Sequence, residues 1–432
     1  MGGNNTVSSA IATVVGRRVW DSRGIPTIEV EIETVGGARG RGIAPAGAST
    51  GRREAVELRD GGSRLGGKDV SNAVEMVQRL VAPALMGHDV ADQSGIDAIL
   101  DGLDSDPMRS KIGGNTTTAA SLAALHAAAA VRGVPIWQVL NPSPTAIPRP
   151  QIQILGGGAH AAHRTTVQDF MAYPLSACSI GDALTDVAEV YLAVGEIMAR
   201  RGPRHGVADE GGHWPDVSDT EDALSVLVAG IELTGMTPGV DMGISLDVAA
   251  SQFHIDGGYQ VGKRRYTSAE WIDTLLAICR TYPVVTLEDP ADEDDRAGMS
   301  LAVAGDAAVI VGDDYLTTNA QLVRSAAAAA EIDSVLVKVN QVGTVTGGAE
   351  AVAASRECGM SVIVSARSGE TEDISVAHLA TGWSADIVKV GSIARSERTA
   401  KWNELIRIDE ALGGLPLAPV VRRGTRLPVR RA

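Results

Sequence analysis

Three acidic residues and one lysine each end a short apolar run in the second half of the chain. The runs end at Asp247, Glu288, Asp313 and Lys338, at intervals of 41, 25 and 25 residues. Valine, isoleucine and leucine dominate the runs, which are too short for helices, so each predicts a buried β-strand. Carboxylate oxygens are the ligands that Mg²⁺ prefers, and a nearby lysine can act as a base once it loses its proton. The pattern therefore predicts a magnesium site beside a candidate base.

The spacing of these runs indicates the fold that must bring the four residues together. Each interval has room for one helix and two turns between successive strands, as in a (β/α) barrel. The strands of such a barrel place their C-terminal residues at one shared mouth. We therefore expect the three carboxylates and the lysine to lie close together.

The first third of the chain has a different pattern. Residues 27–33 alternate apolar and polar side chains, as an antiparallel strand does. Helical periodicity follows at residues 71–87 and 116–132, and a glycine-rich segment at about 46–54 predicts a mobile loop. This part of the chain is therefore expected to form a smaller α+β domain.

A proline-rich segment at residues 141–150 separates the two patterns, because proline interrupts regular structure. We predict an α/β protein with an α+β capping domain over residues 1–140. A barrel domain is predicted over residues 141–432.

Composition argues against several functional classes. The 432 residues include 53 acidic and 38 basic side chains, for a net charge of −15, which is unfavourable for a nucleic-acid partner. No apolar stretch approaches the roughly 18 residues of a membrane span, and residues 1–6 do not resemble a signal peptide. Three widely spaced cysteines favour a reducing, cytoplasmic location. The basic segment 422–431 is expected to be a solvated tail.

Seven motifs, in order along nearly the whole chain, resemble those of the enolase (phosphopyruvate hydratase) family. They are Asp21-Ser-Arg-Gly24, Gly47-Ala-Ser-Thr-Gly51 with Glu57-Leu-Arg-Asp-Gly61, Asp209-Glu-Gly-Gly212, Leu287-Glu-Asp-Pro290, Lys338-Val-Asn-Gln341, Arg367-Ser-Gly-Glu-Thr-Glu-Asp373 and Ala394-Arg-Ser-Glu-Arg398. The resemblance implies an N-terminal α+β capping domain on a modified (β/α)8 TIM-type barrel. It also implies a phosphorylated carboxylate substrate, two Mg²⁺ ions and at least a homodimer.

The resemblance also implies roles for the metal-binding and proton-transfer residues. Asp247, Glu288 and Asp313 would hold the first Mg²⁺, and Ser49 would bring in the second with the substrate. Such cations are needed because removal of a proton α to a carboxylate creates a dianionic enolate. Lys338 would be the base, and we expect burial and nearby cations to lower its pKa toward neutrality.

Further matches concern the leaving group and the binding of substrate. Glu210 matches the family's general acid, which protonates the departing hydroxyl, and Lys389 matches the lysine that pairs with the substrate carboxylate. Other matches are to the family's phosphate contacts and active-site lid, at Arg367, Ser368, His160 and Gln168.

Two departures from the family pattern fall on the side of the pocket where enolases release the β-hydroxyl. Ala366 stands where the family has a histidine. Asp169 stands where it has a glutamate, so a catalytic carboxylate is shortened by one methylene. Since a misplacement near 1 Å can cost about a hundredfold in rate, we expect weakened dehydration of the ordinary substrate.

The two lids also depart from the family. Charged or bulky side chains replace small ones at Arg52, Arg53, His163 and Arg164. Guanidinium groups bind phosphate and carboxylate at two points, so these residues would suit an additional anionic group on the substrate. Solvated lid residues on an ordinary enolase are the alternative interpretation.

Three functional hypotheses follow. The favoured one is a specialised enolase-like enzyme acting on 2-phosphoglycerate or a phosphate or phosphonate analogue, as in the reaction of carboxyphosphonoenolpyruvate synthase. The second is an ordinary glycolytic enolase, which converts 2-phosphoglycerate to phosphoenolpyruvate and water. The third is a non-catalytic paralogue with a binding role, which would be expected to lose the metal triad or the base; this chain retains both.

Overall fold

The N-terminal part of the chain forms a three-stranded antiparallel sheet covered by helices. The computed structural model describes residues 8–202 and 205–423. The strands are β1 (Ile11–Trp20), β2 (Pro26–Thr34) and β3 (Arg39–Ile43), paired in that order. The helices are α1 (Ser71–Met76) and α2 (Ala82–Leu85), joined by a π-helical turn at Val77–Val81, then α3 (Gln93–Leu103), α4 (Gly114–Arg132) and α5 (Ile136–Leu140). The predicted strand and both predicted helices are confirmed.

Helix α4 lies directly on the sheet because two glycines of β3 allow close contact. A Cβ atom on Gly40 would lie 2.1 Å from the backbone nitrogen of Ala127, and one on Gly42 would lie 2.5 Å from the carbonyl oxygen of Ala119. Small alanine side chains on the helix complete this fit. The close packing fixes the base of the glycine-rich loop, which follows β3.

The second part of the chain is a closed barrel of eight strands within the described residues. The strands of this part are β4 (Arg149–Gly156), β5 (Asp169–Pro174), β6 (Met242–Asp247), β7 (His254–Ile255), β8 (Gly258–Val261), β9 (Arg264–Tyr266), β10 (Val284–Glu288), β11 (Val309–Gly312), β12 (Ser334–Val337), β13 (Ser361–Ser365) and β14 (Ile387–Ser392). Strands β7, β8 and β9 form a separate small sheet, and the other eight close the barrel.

Helices surround the barrel and connect its strands. They are α6 (Ile180–Arg201), α7 (Thr220–Leu233), α8 (Ser268–Thr281), α9 (Arg296–Ala304), α10 (Ala320–Ala328), α11 (Val339–Val342), α12 (Val345–Glu357), α13 (Ser375–Gly382) and α14 (Ser396–Ala411). No helix among the described residues combines the length and apolar character needed to cross a bilayer. The predicted α+β domain and the predicted barrel are thus both observed, whereas the division at residues 140 and 141 stays a prediction.

One barrel strand runs opposite to the others. Strand β5 pairs antiparallel with both β4 and β6, while the remaining barrel pairs are parallel. Its first residue, Asp169, therefore lies opposite Asp247, the last residue of β6. This reversal explains how a residue at the start of a strand reaches the mouth formed by the C-terminal ends of the others.

The inside of the barrel changes from apolar to polar along its axis. Tyr173, Val311, Leu336, Ile363 and Ile387 form a buried cluster inside it, away from the mouth. Charged residues instead end β6 and β10 and directly follow β11 and β12. The apolar layer holds the strands in register while the charged side chains gather at one end.

At Arg423 the C-terminal segment differs from the solvated tail that we predicted. Residues 424–431 of that tail lie outside the described residues. At its start, Arg423 is ion-paired with Asp306 at 2.5 Å and also with Asp333. The prediction was therefore wrong for Arg423, because two acidic residues on neighbouring barrel loops bind its guanidinium.

Candidate active site at the barrel mouth

The structure brings the four strand-end residues to one mouth. Asp247 and Glu288 end β6 and β10, while Asp313 and Lys338 directly follow β11 and β12. The three carboxylates are buried, and the Lys338 side chain is 11% exposed. The four predicted strands, and the residues that end them, are as expected.

Lys389 lies at the centre of the carboxylates. Its ammonium Nζ donates to Asp247 Oδ2 at 2.8 Å and to the two oxygens of Glu288 at 2.9 and 2.8 Å. Asp169 Oδ2 lies 3.8 Å from the same nitrogen. Burial lowers the pKa of Lys389, but the surrounding carboxylates outweigh burial and raise it well above the ordinary value. The raised pKa favours the protonated, positively charged form of Lys389 between these carboxylates.

Lys338 is paired with the third carboxylate. Its ammonium donates to Asp313, which also accepts a hydrogen bond from Gln341 Nε2 at 2.8 Å. Burial lowers the pKa of Lys338, but the charge of Asp313 outweighs burial, so the pKa is raised. The same pairing lowers the pKa of Asp313 to about 2, against the effect of its own burial. This rise applies to the paired side chains alone, and the expected lowering of the Lys338 pKa by bound cations stays a prediction.

Sequence reasoning missed two residues that hold Asp313 in place. Asp289 accepts hydrogen bonds from the backbone N–H groups of Asp313, at 2.9 Å, and Asp314, at 2.7 Å. Gln341 donates to Glu54 at 3.2 Å as well as to Asp313. Both residues lie in motifs that carry the family resemblance, Leu287–Pro290 and Lys338–Gln341, but spacing alone gives no sign of their contacts.

The carboxylates of the mouth suit a divalent cation. The pKa of Glu288 is raised well above its ordinary value, first by burial and then by the charge of Asp247. A buried cation would relieve this repulsion, and Mg²⁺ prefers oxygen ligands of this kind. Among the described residues, two groups place their ligand atoms close enough to share an ion: Asp289, Asp313 and Asp314, and His160, Asp169 and Glu210. The residues present therefore fit a bound magnesium.

His160 lies between two other carboxylates at the barrel mouth, those of Asp169 and Glu210. His160 Nδ1 lies 2.8 Å from Asp169 Oδ1, and its Nε2 lies 3.7 Å from Glu210 Oε1. Burial lowers the pKa of His160, but the charges of Asp169 and Glu210 outweigh it and raise the pKa to about 9. Gln168 joins this group to the metal half through a 3.1 Å hydrogen bond to Asp247.

Asp169 has a further partner that sequence reasoning missed. Gln153 donates from Nε2 to Asp169 Oδ1, and its Oε1 accepts a 2.8 Å hydrogen bond from the backbone of Gly212. Within the part of the chain that the structure describes, the other oxygen, Asp169 Oδ2, is buried and accepts no hydrogen bond. The pKa of Asp169 is raised, chiefly because burial disfavours its charged form.

Arg367 and Ser368 contact the glycine-rich loop. Arg367 pairs with Glu54 at 2.7 Å and donates to the carbonyl oxygen of Ser49 at 2.8 Å. Ser368 Oγ accepts a 2.6 Å hydrogen bond from the backbone N–H of Ala48. The structure therefore brings both predicted phosphate contacts next to Ser49, the predicted ligand of a second cation.

Arg52 and Arg53, on the same loop, pair with acidic residues of the protein itself. Arg52 Nε lies 2.6 Å from Glu293 and its Nη2 lies 3.1 Å from Asp292. Arg53 donates to the carbonyl oxygen of Glu293 at 3.1 Å and pairs with Asp294. These contacts use guanidinium donors that we expected to bind substrate, although the substrate assignment itself stays a prediction.

The remaining predicted residues lie at the edge of the site. His163 and Arg164 are exposed, and Arg164 lies 3.8 Å from Asp216. Ala366 is buried and lines a cavity of about 40 Å³ together with Ser365 and Asn340. The structure does not bring His163 or Arg164 into contact with the carboxylates at the mouth.

Comparison with known families agrees with this geometry. The model for the enolase N-terminal domain matches residues 11–140, and the model for the enolase C-terminal TIM barrel domain matches residues 144–417. Members of the family carry out magnesium-dependent lyase-type chemistry on a small-molecule substrate. Since the two models cover almost all of the described residues, the chain belongs to the enolase family.

Proposed function

We propose that this protein is a two-magnesium enzyme that removes the α-proton of 2-phosphoglycerate or of a closely related phosphate or phosphonate. The main support for this proposal is a pair of neighbouring ion-pair groups. Lys389 pairs with Asp247 and Glu288, and Lys338 pairs with Asp313. Two lysines and three buried carboxylates at one mouth supply a base, a fixed cation and ligands for metal. These are the groups that formation of an enolate requires.

The proposed roles follow from the contacts of each side chain. Lys338 would take the α-proton, and Lys389 would bind the substrate carboxylate. Asp247, Glu288 and Asp313 would hold the first Mg²⁺, which supplies positive charge for the enolate and competes with Lys338 for Asp313. Weaker pairing with Asp313 would lower the pKa of Lys338 and so favour its neutral form.

Other residues would bind the phosphoryl group and protonate the leaving hydroxyl. Arg367 and Ser368 contact the loop of Ser49, so closure of that loop over a phosphate would bring these three groups together. Ser49 would then ligate a second Mg²⁺. Glu210 would protonate the hydroxyl, with His160 2.8 Å from Asp169 and 3.7 Å from Glu210.

We further propose that the side of the pocket where the β-hydroxyl leaves is specialised for a different reaction, as in carboxyphosphonoenolpyruvate synthesis. The support is the replacement of a histidine by Ala366 and of a glutamate by Asp169, which changes that side but leaves the metal half intact. The ordinary glycolytic enolase is the second candidate. One observation favours it: Arg52 and Arg53 already pair with acidic residues, so fewer donors remain for an extra anionic group.

One experiment tests both levels of the proposal. The purified protein with Mg²⁺ is given 2-phosphoglycerate in deuterated water, and both α-deuterium incorporation and phosphoenolpyruvate are followed by NMR. We expect exchange at the α-carbon and slow formation of phosphoenolpyruvate. Turnover equal to that of an ordinary enolase would reject the specialised reaction. Absence of α-exchange with 2-phosphoglycerate and with phosphonate analogues would reject the enolate chemistry.

A further inference from the structure

Gln153 occupies an unusual place for a neutral side chain. It lies on β4 inside the barrel, is 0% exposed, and has charged residues as neighbours at the mouth. A buried amide needs partners for its donor and its acceptor ends, because unpaired polar groups are costly. Gln153 meets this need with Asp169 Oδ1 on one side and the backbone N–H of Gly212, at 2.8 Å, on the other.

The two partners fix the orientation of the amide. If the amide were reversed, its NH₂ group would face the N–H of Gly212 and its oxygen would face the carboxylate of Asp169. Both contacts would then be repulsive. The observed orientation therefore connects a catalytic carboxylate with the turn that carries Glu210.

That turn is shaped to receive Gln153. A Cβ atom on Gly212 would lie 2.5 Å from Gln153 Oε1, so only glycine permits the contact. Gly211 has a φ of +93°, and its Cβ would lie 2.5 Å from the carbonyl oxygen of Ala394. The position of Glu210 thus depends on close contacts on both sides of the turn.

Gln153 also determines which oxygen of Asp169 is available. Gln153 and His160 both bind Oδ1, at the same end of the carboxylate. Oδ2 is buried 3.8 Å from the ammonium of Lys389 and accepts no hydrogen bond from residues 8–202 or 205–423. The carboxylate is therefore held with one oxygen committed to the protein and the other directed toward the lysine.

We infer that Gln153 is a positioning residue, which sets the separation and orientation of Asp169, His160 and Glu210. Its long side chain reaches an aspartate that is one methylene shorter than the glutamate of the enolase pattern. The inference rests on the proposed function, because it assigns Gln153 to the half of the site that expels the hydroxyl.

The test compares two buried glutamines on the same strand. Gln151 is 1% exposed and its side chain donates to Thr286 at 3.2 Å, rather than to Asp169 or the turn of Glu210. In Gln153→Met we expect elimination to slow by about tenfold to a hundredfold while α-proton exchange changes less than about twofold. Gln151→Met should change neither rate by more than about twofold. Equal losses in both variants, or a loss of exchange as large as that of elimination, would overturn the inference.

A double variant with compensating changes in side-chain length tests the positioning role of Gln153, because it should recover activity that each single variant loses. Gln153→Asn and Asp169→Glu each change the combined length of the two side chains, whereas the double variant moves one methylene from one side chain to the other. We expect elimination by Q153N/D169E to exceed that of either single variant by at least about fivefold, since contacting residues are not additive. A double variant no better than the poorer single variant would contradict a positioning role.

A measurement without substrate separates this inference from the proposed function. If the wild-type protein shows no α-exchange, the enolate chemistry fails, and crystal structures of Q153M, Q153N and Q151M still test the positioning role. We expect the Asp169 carboxylate and the Glu210 turn to move in Q153M and Q153N but not in Q151M. An unmoved carboxylate and turn in both Gln153 variants would reject the role.

Discussion

Lys389 donates to both carboxylate oxygens of Glu288, at 2.9 and 2.8 Å, inside a barrel mouth where both side chains are buried. A buried charge that loses its partner is strongly destabilising, and the loss is larger than the net benefit of forming the pair. The lysine therefore matters for the folding of the metal-free protein as well as for substrate.

Replacing this lysine by methionine should reveal the metal site through stability. We expect Lys389→Met to lower the free energy of unfolding by about 3–5 kcal/mol in EDTA, because Asp247 and Glu288 lose their cation. Mg²⁺ should restore part of the loss, since it binds the folded carboxylates. Urea unfolding with EDTA and with Mg²⁺ measures both effects.

Lys401 provides the control for this experiment. It is also fully buried and pairs with Glu370 at 3.0 Å, away from the proposed metal ligands. Compared with wild type in the same buffer, Lys401→Met should be equally destabilised in EDTA and in Mg²⁺, because its proposed metal ligands are intact. If Mg²⁺ reduced the deficit relative to wild type equally in the two variants, the recovery of Lys389→Met would not come from the barrel mouth.

Removal of the proposed base should abolish exchange while leaving binding largely intact. For Lys338→Ala we expect α-deuterium incorporation to fall by about 10²–10⁴-fold, the usual contribution of a general base. NMR measures exchange and calorimetry measures substrate binding. Lys263→Ala, at an exposed lysine of the same domain, serves as control. Exchange within about threefold of wild type in Lys338→Ala would rule out Lys338 as the base.

The contribution of His160 to the stability of the folded protein should decrease as the pH rises. Its pKa is raised to about 9 in the folded protein, from 6.5. Its contribution to stability is therefore full below about pH 6.5 and is lost as the pH rises through about 9. NMR titration of the metal-free protein should show this midpoint, and Asp169→Asn should lower it by removing the nearest negative charge.

His126 is the internal comparison for that titration. Burial lowers its pKa from the ordinary value, so it should titrate at lower pH than His160 and should not respond to Asp169→Asn. A midpoint for His160 at or below that of His126 would contradict the carboxylate contacts of His160.

The ion pairs of Arg52 should hold the glycine-rich loop against the acidic segment 292–294. Glu293→Gln removes a carboxylate 2.6 Å from Arg52, so trypsin should cleave after Arg52 or Arg53 several-fold faster. The Arg52 side chain is 59% exposed, so the stability change should stay below about 1 kcal/mol. Higher salt should also accelerate wild-type cleavage.

Glu357→Gln is the matched control, because Glu357 forms a 2.9 Å exposed pair with Arg324 on the outer helices. It should leave cleavage at Arg52 and Arg53 unchanged. Unchanged cleavage at these sites in Glu293→Gln as well would show that the acidic segment does not restrain the loop.

Restoring the enolase pattern on the leaving-group side should increase dehydration of 2-phosphoglycerate. Because Gln153 is fitted to an aspartate, Asp169→Glu and Ala366→His should work best together with Gln153→Asn. We expect this triple variant to form phosphoenolpyruvate at least about tenfold faster than wild type if the losses at Ala366 and Asp169 limit the rate. An unchanged rate in a folded triple variant would show that residues other than Ala366 and Asp169 limit dehydration.

The barrel and the residues at its strand ends could be predicted from the amino-acid sequence alone. Short apolar runs ending in Asp247, Glu288, Asp313 and Lys338 predict strands that share one mouth, because strand period and connection length are local properties. The motif resemblance added the identity of Lys389 and Glu210, which no spacing argument supplies.

Which charges pair with one another is seen only in the folded chain. Gln153 is 16 residues from Asp169 and 59 from Gly212, and Arg52 is 241 from Glu293. Such contacts depend on how the strands close and on the reversed direction of β5, which no local pattern encodes. The pairing of Lys338 with Asp313, which raises the pKa of Lys338, could not be predicted for the same reason: the distance between the two side chains exists only in the folded chain.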